Sequence, residues 1–535
     1  MEANFQIFLV LLGVLAFGAL LARKLDIAPA VLLLAMGVGL AFVPGLPALE
    51  LPPTLVLLVV LPPLIYSASV AMSWREFRAN LRPITLLAIG CVLFTACAVA
   101  TVTHYAIGIP WGIGFLLGAI VAPPDVVAPL AIARKLRLPR RILVILEGEG
   151  LANDATALIL YRFATVAITT GAFSLPKATA TFGAVVICEI LFGVAVGWIS
   201  LRTRKWARDP KIEITLSMVT PYLAFWIPEH LGGSGVLATV ACGLYISWSG
   251  PLLISSATRL QGVFFWDLVI YLIEGLLFLL TGFQMRLLIE KSKDFAIGNI
   301  LMAIALVSVL VVAARFIWVF AATYLPQLVS KRSHRRDPLP DWRLIFVIAF
   351  TGVRGAVSLA AALALPFTMP DGEAFPYRDL ILFVSFGVIL ITLLGLGLGL
   401  PLVVKWLGIS EFARHEAADD RAAEVAARRL ALEETHKIFD GIKTQKNISD
   451  EVIALLETRH QTRARQVHIW PKDGVEDDAT ASAELVRKLI DTERGHLHRM
   501  LRDGKITDET RRRIERDLDL EEAIITNRED IWKAR

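Results

Sequence analysis

The feature that most constrains this chain is a run of roughly 20 apolar residues that recurs about every 25 to 35 residues, up to Trp406. A helix of that length crosses a hydrocarbon core ~30 Å thick, and soluble folds do not repeat the pattern over about 400 residues. From Glu411 to Arg535, in contrast, almost every third residue is charged. The sequence therefore predicts an all-α polytopic membrane protein with a cytoplasmic helical tail over 409–535.

Loop charge predicts the orientation of these segments. If the N-terminus faces outward, the inner loops carry 21 basic residues and the outer loops carry five, and an excess of basic residues marks the cytoplasmic side. The start, "MEANFQIFLV", has no basic leader region or cleavage site, so the first segment is expected to be retained. The thirteen candidate spans are approximately 5–23, 27–43, 54–72, 83–107, 110–136, 141–168, 178–201, 214–228, 235–249, 262–283, 295–325, 342–368 and 379–407.

Two spans carry helix-breaking residues near their centres. The fifth contains "VAPPDVVAPL" and the twelfth contains "TGVRGAVSL". Proline removes a backbone donor and glycine weakens a helix, so both spans should be unwound there. Because the breaks fall seven spans apart, we predict two inverted six-helix repeats with a transport site between them, the alternative being two unrelated kinks. The backbone expected to line the site is that of Ala122, Pro123, Pro124, Gly352 and Gly355.

Four charged residues are expected near the middle of the bilayer. Counted from the nearest predicted span end at ~1.5 Å per residue, Asp125, Asp154, Glu274 and Arg354 lie ~18–22 Å deep. Each costs about 2.5–3.5 kcal/mol to insert, so each should face a partner or water. Glu274 fits a structural role as well as an ion path. Glu189 stays unassigned, and Arg315, near an inner end, is expected to snorkel towards headgroups.

Pairing of these charges predicts a cation site. A Glu149–Arg354 ion pair would neutralise one charge of each sign and leave Asp125 and Asp154 as oxygen ligands, beside Asn153. Hard monovalent cations prefer carboxylate, amide and free carbonyl oxygens. A carboxylate buried without a partner favours its neutral form, so it can take a proton or a cation but gains little from both. That competition is sufficient for exchange.

Five motifs resemble those of the monovalent cation:proton antiporter-1 family, the sodium/proton exchangers. "LEGEGLANDATALIL" is similar to the family's Glu-Gly-Glu-Ser-x-x-Asn-Asp signature, and "APPDVVA" to its fifth-span Asp motif in the bacterial form. The remaining matches are "LPPLIYSASVAM", "EGLLFLLTGFQM" and "TGVRGAVSLAAAL". The resemblance covers about residues 5–407. Two departures are Gly150, where the family has Ser, and Ser67, where it often has Glu.

The resemblance implies roles for particular residues. Asp154 would bind cation and proton alternately, Asp125 would contribute to the metal site for Na⁺ or a similar ion, and Asn153 would brace the broken helices. Glu149 would pair with Arg354, while Glu274 and Ser67 are candidates for the ion path. It also implies a homodimer in which a core bundle (about 83–170 and 295–407) moves past a dimerisation part (about 5–72 and 178–283). Asn153 in place of a second Asp implies electroneutral exchange.

The sequence thus predicts an antiporter of protons and Na⁺, Li⁺ or K⁺ in a bacterial inner membrane. It contains no phosphate-binding loop, nucleophile–base set or nucleotide motif, so neither enzymatic activity nor a cofactor is expected. The net charge of +5 is attributed to the topology-setting loops, so the expected partners are lipid and ions, not nucleic acid. The alternatives are a cation channel and a carrier of an anionic metabolite; the latter would leave Arg354 without an acidic partner.

Overall fold

The computed structural model describes residues 2–25, 27–43, 52–170, 174–207, 209–286, 297–329, 341–369, 372–409, 422–435, 451, 453–458, 460–461, 475–503 and 505–533. Regular structure in these ranges is helical, apart from one isolated bridge between Thr368 and Ala374. The chain divides into two compact units, Met1–Glu411 and Phe412–Arg535.

The first unit is a set of helices that we number α1 to α16. Each of the thirteen predicted spans contains helix, and the fifth and twelfth are each divided into two. The helices are α1 (Glu2–Leu25), α2 (Pro29–Ala41), α3 (Pro53–Leu55, the π-helical Val56–Val60 and Leu61–Ala71), α4 (Trp74–Ala79), α5 (Leu81–Ile107), α6 (Trp111–Val121), α7 (Val127–Lys135), α8 (Arg140–Thr170), α9 (Leu175–Ala207), α10 (Pro210–His230), α11 (Val236–Ser249), α12 (Ser256–Phe283), α13 (Ile297–Val329), α14 (Trp342–Phe350), α15 (Ala356–Leu363) and α16 (Arg378–Leu407).

Length and composition identify membrane-spanning candidates among the described helices. Five are long and apolar enough to cross a bilayer unaided: α5, α9, α12, α13 and α16. Shorter apolar helices, α2, α3, α6 and α11, accompany them. The number of thirteen spans and the inverted repeat remain predictions.

Helices α2 and α12 cross at a pair of glycines. A Cβ atom on Gly37 would lie 2.1 Å from the carbonyl oxygen of Leu279, and one on Gly282 would lie 2.2 Å from that of Leu34. Backbones can approach this closely only where side chains are absent, which is how small residues mediate helix packing in lipid.

Glu189 has a structural position that the sequence did not reveal. Its buried carboxylate accepts hydrogen bonds from the backbone N–H groups of Ser234 and Gly235 and from the Ser234 hydroxyl. These N–H groups are at the start of α11, where the partial positive charge of a helix N-terminus stabilises an anion. Glu189 therefore ties α9 to α11.

The second unit includes the helices α17 (Val475–Arg502) and α18 (Asp508–Lys533), besides shorter helical stretches at 422–435 and 453–458. Arg494 of α17 reaches both Asp519 and Glu522 of α18 at 2.6 Å. The buried residues between the helices are Ile490, Leu497 and Leu518.

Gly37→Ala is expected to lower the melting temperature of the detergent-solubilised protein, because α2 and α12 must separate to admit the new methyl group. Gly39→Ala is the matched control on the same helix, since a Cβ there meets nothing within 4 Å. It should leave stability unchanged or raise it, by up to about 1 kcal/mol of helix propensity. Melting followed by size-exclusion fluorescence checks this, and equal shifts for both variants would contradict the packing described.

Candidate functional site

The two predicted helix breaks lie side by side. The first separates α6 from α7 at 122–126, and the second separates α14 from α15 at 351–355. The backbone N–H of Asp125 donates a hydrogen bond of 2.7 Å to the carbonyl of Val353. Irregular backbone at membrane depth is tolerated where protein satisfies it, and here each break partly satisfies the other.

Asp125 is held firmly within the first break. Its Oδ1 accepts a hydrogen bond of 2.9 Å from the N–H of Val127, the first residue of α7. Its Oδ2 lies against Gly355, where a Cβ would be only 1.6 Å away. Residue 355 must therefore be glycine for the Asp125 carboxylate to occupy this place.

The predicted ion pair between Glu149 and Arg354 is wrong. The side chain of Arg354 is 1% exposed and donates instead to backbone carbonyls: from Nε to Val121 (2.9 Å), from Nη2 to Ala122 (3.1 Å) and from Nη1 to Gly352. Val121 and Ala122 form the C-terminal end of α6, where carbonyls lack helical partners and the helix dipole is negative. The guanidinium is thus used to cap a broken helix.

Glu149 pairs with Arg315 of α13 instead. Both carboxylate oxygens contact the guanidinium, with Nη2–Oε2 at 2.9 Å, and both side chains are almost fully buried. Arg315 Nη2 also donates to the carbonyl of Ile348, in the last turn of α14, at 3.0 Å. Arg315 therefore does not snorkel, and it caps the second break as Arg354 caps the first.

Asn153 connects α8 to the first break. Its Nδ2 donates a hydrogen bond of 2.7 Å to the carbonyl of Pro124. Its Oδ1 is buried and has no hydrogen-bond partner within the described part of the chain.

Asp154 faces a cavity of about 430 Å³ that Asp125, Glu274 and Ser67 also line, together with Pro123, Pro124 and Gly355. For the residues described, no hydrogen bond or ion pair engages the Asp154 carboxylate. No described group of three or more His, Cys, Asp or Glu could hold a resident metal ion. The structure thus brings seven of the predicted site residues to one cavity, whereas Glu149 and Arg354 do not line it.

The cavity extends along α8 towards the start of that helix. Towards the start of α8 it extends to Glu147, which pairs with the exposed Arg134 at 2.7 Å. Beyond Asp154, a separate void of about 10 Å³ lies near Tyr161. Further along α8, Arg162 forms an ion pair with Glu229 of α10. The larger cavity thus lies on the Glu147 side of Asp154, and a smaller void lies on the Tyr161 side.

Sequence reasoning missed two residues of this region. Arg315 was expected to snorkel, but it lies 10 residues from the inner end of its predicted span, ~15 Å deep and close to the bilayer centre, so depth could have indicated that it is buried. Asp267 also lines the cavity, two helical turns before Glu274 on α12. As for Gly150, a Cβ there would lie 2.3 Å from Val126 Cγ2, so a serine would require Val126 to move.

The pairing of Glu149 with Arg315 predicts strong coupling. Arg315→Met alone should destabilise the protein by about 3–5 kcal/mol, because it leaves the buried carboxylate of Glu149 without its counter-ion. The double variant Glu149→Met/Arg315→Met should recover part of that loss. In the double variant Glu149→Met/Arg354→Met, in contrast, the losses of stability of the two single variants should simply add. Arg134→Ala, at an exposed pair, is the control and should cost about 0–1 kcal/mol. Additive losses for Glu149 and Arg315 in thermal melts would refute the pairing.

Comparisons with known proteins identify the family of this chain. The profile of the sodium/hydrogen exchanger transmembrane family matches residues 9–406. An uncharacterised Na⁺/H⁺ exchanger of Mycobacterium tuberculosis is 33% identical over 525 residues, covering 96% of this chain and 95% of the relative. A sodium, potassium, lithium and rubidium/H⁺ antiporter of Bacillus subtilis is 32% identical, covering 75% of this chain and 61% of the relative.

The fold is also that of a solved structure. The sodium proton antiporter MjNhaP1 of Methanocaldococcus jannaschii superposes with a TM-score of 0.60 at 18% identity, over 76% of this chain and 98% of that one. At this identity the likeness concerns the fold alone, and membership rests on the sequence matches. The chain belongs to the sodium/hydrogen exchanger family and is therefore an integral membrane protein of the cation:proton antiport class, not an enzyme.

Proposed function

We propose that the protein exchanges protons for monovalent cations, Na⁺ and also Li⁺ or K⁺, one for one, with both ions competing for Asp154. The observation that carries the proposal is the contrast among the buried charges at the breaks. Glu149 and Arg315 neutralise each other, and Arg354 is bound to carbonyls. Asp154 instead faces the cavity without an ion pair among the described residues.

The cation ligands in this proposal are carboxylate oxygens of Asp154 and Asp125. Both side chains line the same cavity at the first break. Asn153 acts as a brace, because its amide is bonded to Pro124. Bringing a cation to Asp154 neutralises the same charge that a proton would, so the two are bound alternately. Because Asn153 is neutral, a single carboxylate exchanges one bound cation for one bound proton in each cycle. No net charge then crosses the membrane, and the exchange is electroneutral.

Alternating access is proposed as the transport cycle of a homodimer in a bacterial inner membrane. With the positive-inside orientation, the cavity near Arg134 and Glu147 opens to the cytoplasm, and the tail lies on that side. The Arg162–Glu229 pair then lies on the outer side, joining α8 of the proposed core to α10 of the proposed scaffold. This ion pair must separate when the core moves to the outward-facing state.

The anion carrier is disfavoured by the groups lining the cavity. Arg354 has no acidic partner among the described residues, as that alternative required, but its guanidinium is bound to three backbone carbonyls and does not line the cavity. The acidic side chains there outnumber the single arginine, which is paired with Glu147. A channel would be favoured by a ring of acids or a carbonyl filter around a symmetric pore, whereas this site is a single pair of breaks in one chain.

Asp154→Asn is expected to abolish cation-dependent proton movement. The neutral amide is not protonated near neutral pH and has no negative charge to attract a cation. The measurement is dequenching of a pH-sensitive dye in everted vesicles on addition of Na⁺ or K⁺. Asp379→Asn, an exposed acid at the start of α16, is the expression-matched control and should retain exchange. Undiminished dequenching in Asp154→Asn would refute the role of this residue.

Electroneutral exchange predicts that the transport rate does not respond to voltage. In proteoliposomes with a fixed Na⁺ gradient, the initial rate of proton movement should be the same with and without an imposed membrane potential. A rate that changes severalfold with the sign of the potential would contradict one-for-one exchange, and a flux that follows voltage without a proton gradient would indicate a channel.

A further inference from the structure

A second cavity, of about 570 Å³, lies on the opposite side of α8 from the cation cavity. It is bordered by α5, α8, α9 and α11, and α8 contributes Ala152 and Thr156 to its wall. Its lining is almost entirely aliphatic and aromatic. An occupant of this cavity must therefore be apolar over most of its length.

The shape of this cavity follows the helices. Along α11 its lining runs from Leu237 to Trp248, which corresponds to about 17 Å at 1.5 Å per residue. One leaflet of a bilayer provides about 15 Å of hydrocarbon, half of the ~30 Å core. The cavity therefore has the length of a single acyl chain lying parallel to the helices.

The cavity opens sideways to the outer surface of the helices. Ile190, Val194 and Trp248, all in its lining, are 42%, 38% and 63% exposed. In a membrane protein this surface contacts hydrocarbon, so a lipid chain can enter from the bilayer without crossing water. The apolar opening is consistent with an occupant supplied by the membrane.

One end of the cavity is aromatic and adjoins basic residues. Trp74 and Phe77 of α4 line it, and Arg75 and Arg78 on the same short helix are exposed. The acidic residue of this helix, Glu76, pairs with Arg140, whose Nη2 lies 3.1 Å from Oε2 of Glu76. Glu76 therefore does not neutralise Arg75 and Arg78. Tryptophan is enriched at the membrane interface, and clustered arginines there attract anionic headgroups.

We propose that this cavity binds one acyl chain of an anionic phospholipid, with the headgroup phosphate held by Arg75 and Arg78. The chain would pack against Ala152 and Thr156, on the helix that carries Asp154 on its other side. It would also contact α9 and α11. Bound lipid would thus join the helices assigned to the core with those assigned to the scaffold, a consequence that rests on the proposed function, whereas the binding itself does not.

The test is lipid titration of the purified, detergent-solubilised protein by native mass spectrometry, with phosphatidylglycerol and phosphatidylethanolamine of the same chain length. One phosphatidylglycerol per protomer should bind in preference to phosphatidylethanolamine. Ala241→Phe, which fills the cavity, should abolish this binding. Arg75→Ala/Arg78→Ala should weaken it by about fivefold per arginine. The matched controls are Ala195→Phe, on the exposed face of α9, and Lys211→Ala, an exposed lysine of α10; both should bind as wild type.

Equal binding of the two lipids, or unchanged binding in Ala241→Phe, would overturn the proposal. If Ala241→Phe instead dissociates a dimer without changing the number of bound lipids, the cavity receives a second copy of this chain and the lipid assignment is wrong. The double arginine variant lies at the surface and keeps the test informative if Ala241→Phe fails to fold. Because binding is measured without transport, failure of this proposal is distinguishable from failure of the proposed exchange.

Discussion

The structure of the site depends on how the ends of interrupted helices are satisfied inside a membrane. Each break exposes carbonyls that have no helical partner, and hydrocarbon offers them no donor. Two buried arginines supply the missing donors: Arg354 at the end of α6 and Arg315 at the end of α14. The Asp125 N–H then joins the first break to Val353 in the second. The irregular backbone is thereby fixed in one arrangement.

The electrostatics of the site follow from this capping. The charge of Arg315 is neutralised by Glu149, while Arg354 is solvated by backbone dipoles at a negative helix end. The Asp125 carboxylate is oriented by the hydrogen bond that it accepts from the Val127 N–H and by the space that the missing side chain of Gly355 leaves. Asp154 is left as a carboxylate that lines the cavity without an ion pair among the described residues, and this is why we propose it as the group that binds a proton or a cation. In the proposed mechanism, the pairing of the other buried charges leaves Asp154 as the group that binds one positive charge at a time.

Much of this arrangement could be predicted from the sequence. Apolar runs located the long helices of the membrane unit but not the short α4, and the proline and glycine clusters located both breaks. The Asn153–Asp154 pair and Asp125 were identified by depth and by resemblance. The partner of Glu149 was not identified. Two arginines, Arg315 and Arg354, were available, and the choice between them depends on which helix faces α8. Periodicity does not determine that choice. Likewise Gly150 is explained only by the packing of Val126, which no local pattern reveals.

The most direct test of competition at Asp154 is proton release on cation binding. In weakly buffered detergent solution, addition of Na⁺ to the purified protein should release about one proton per ²²Na⁺ bound, at a pH where the site starts protonated, since one carboxylate exchanges one positive charge for another. Asp154→Asn should release none. Na⁺ binding at full stoichiometry without proton release, or equal release from the variant, would contradict the account.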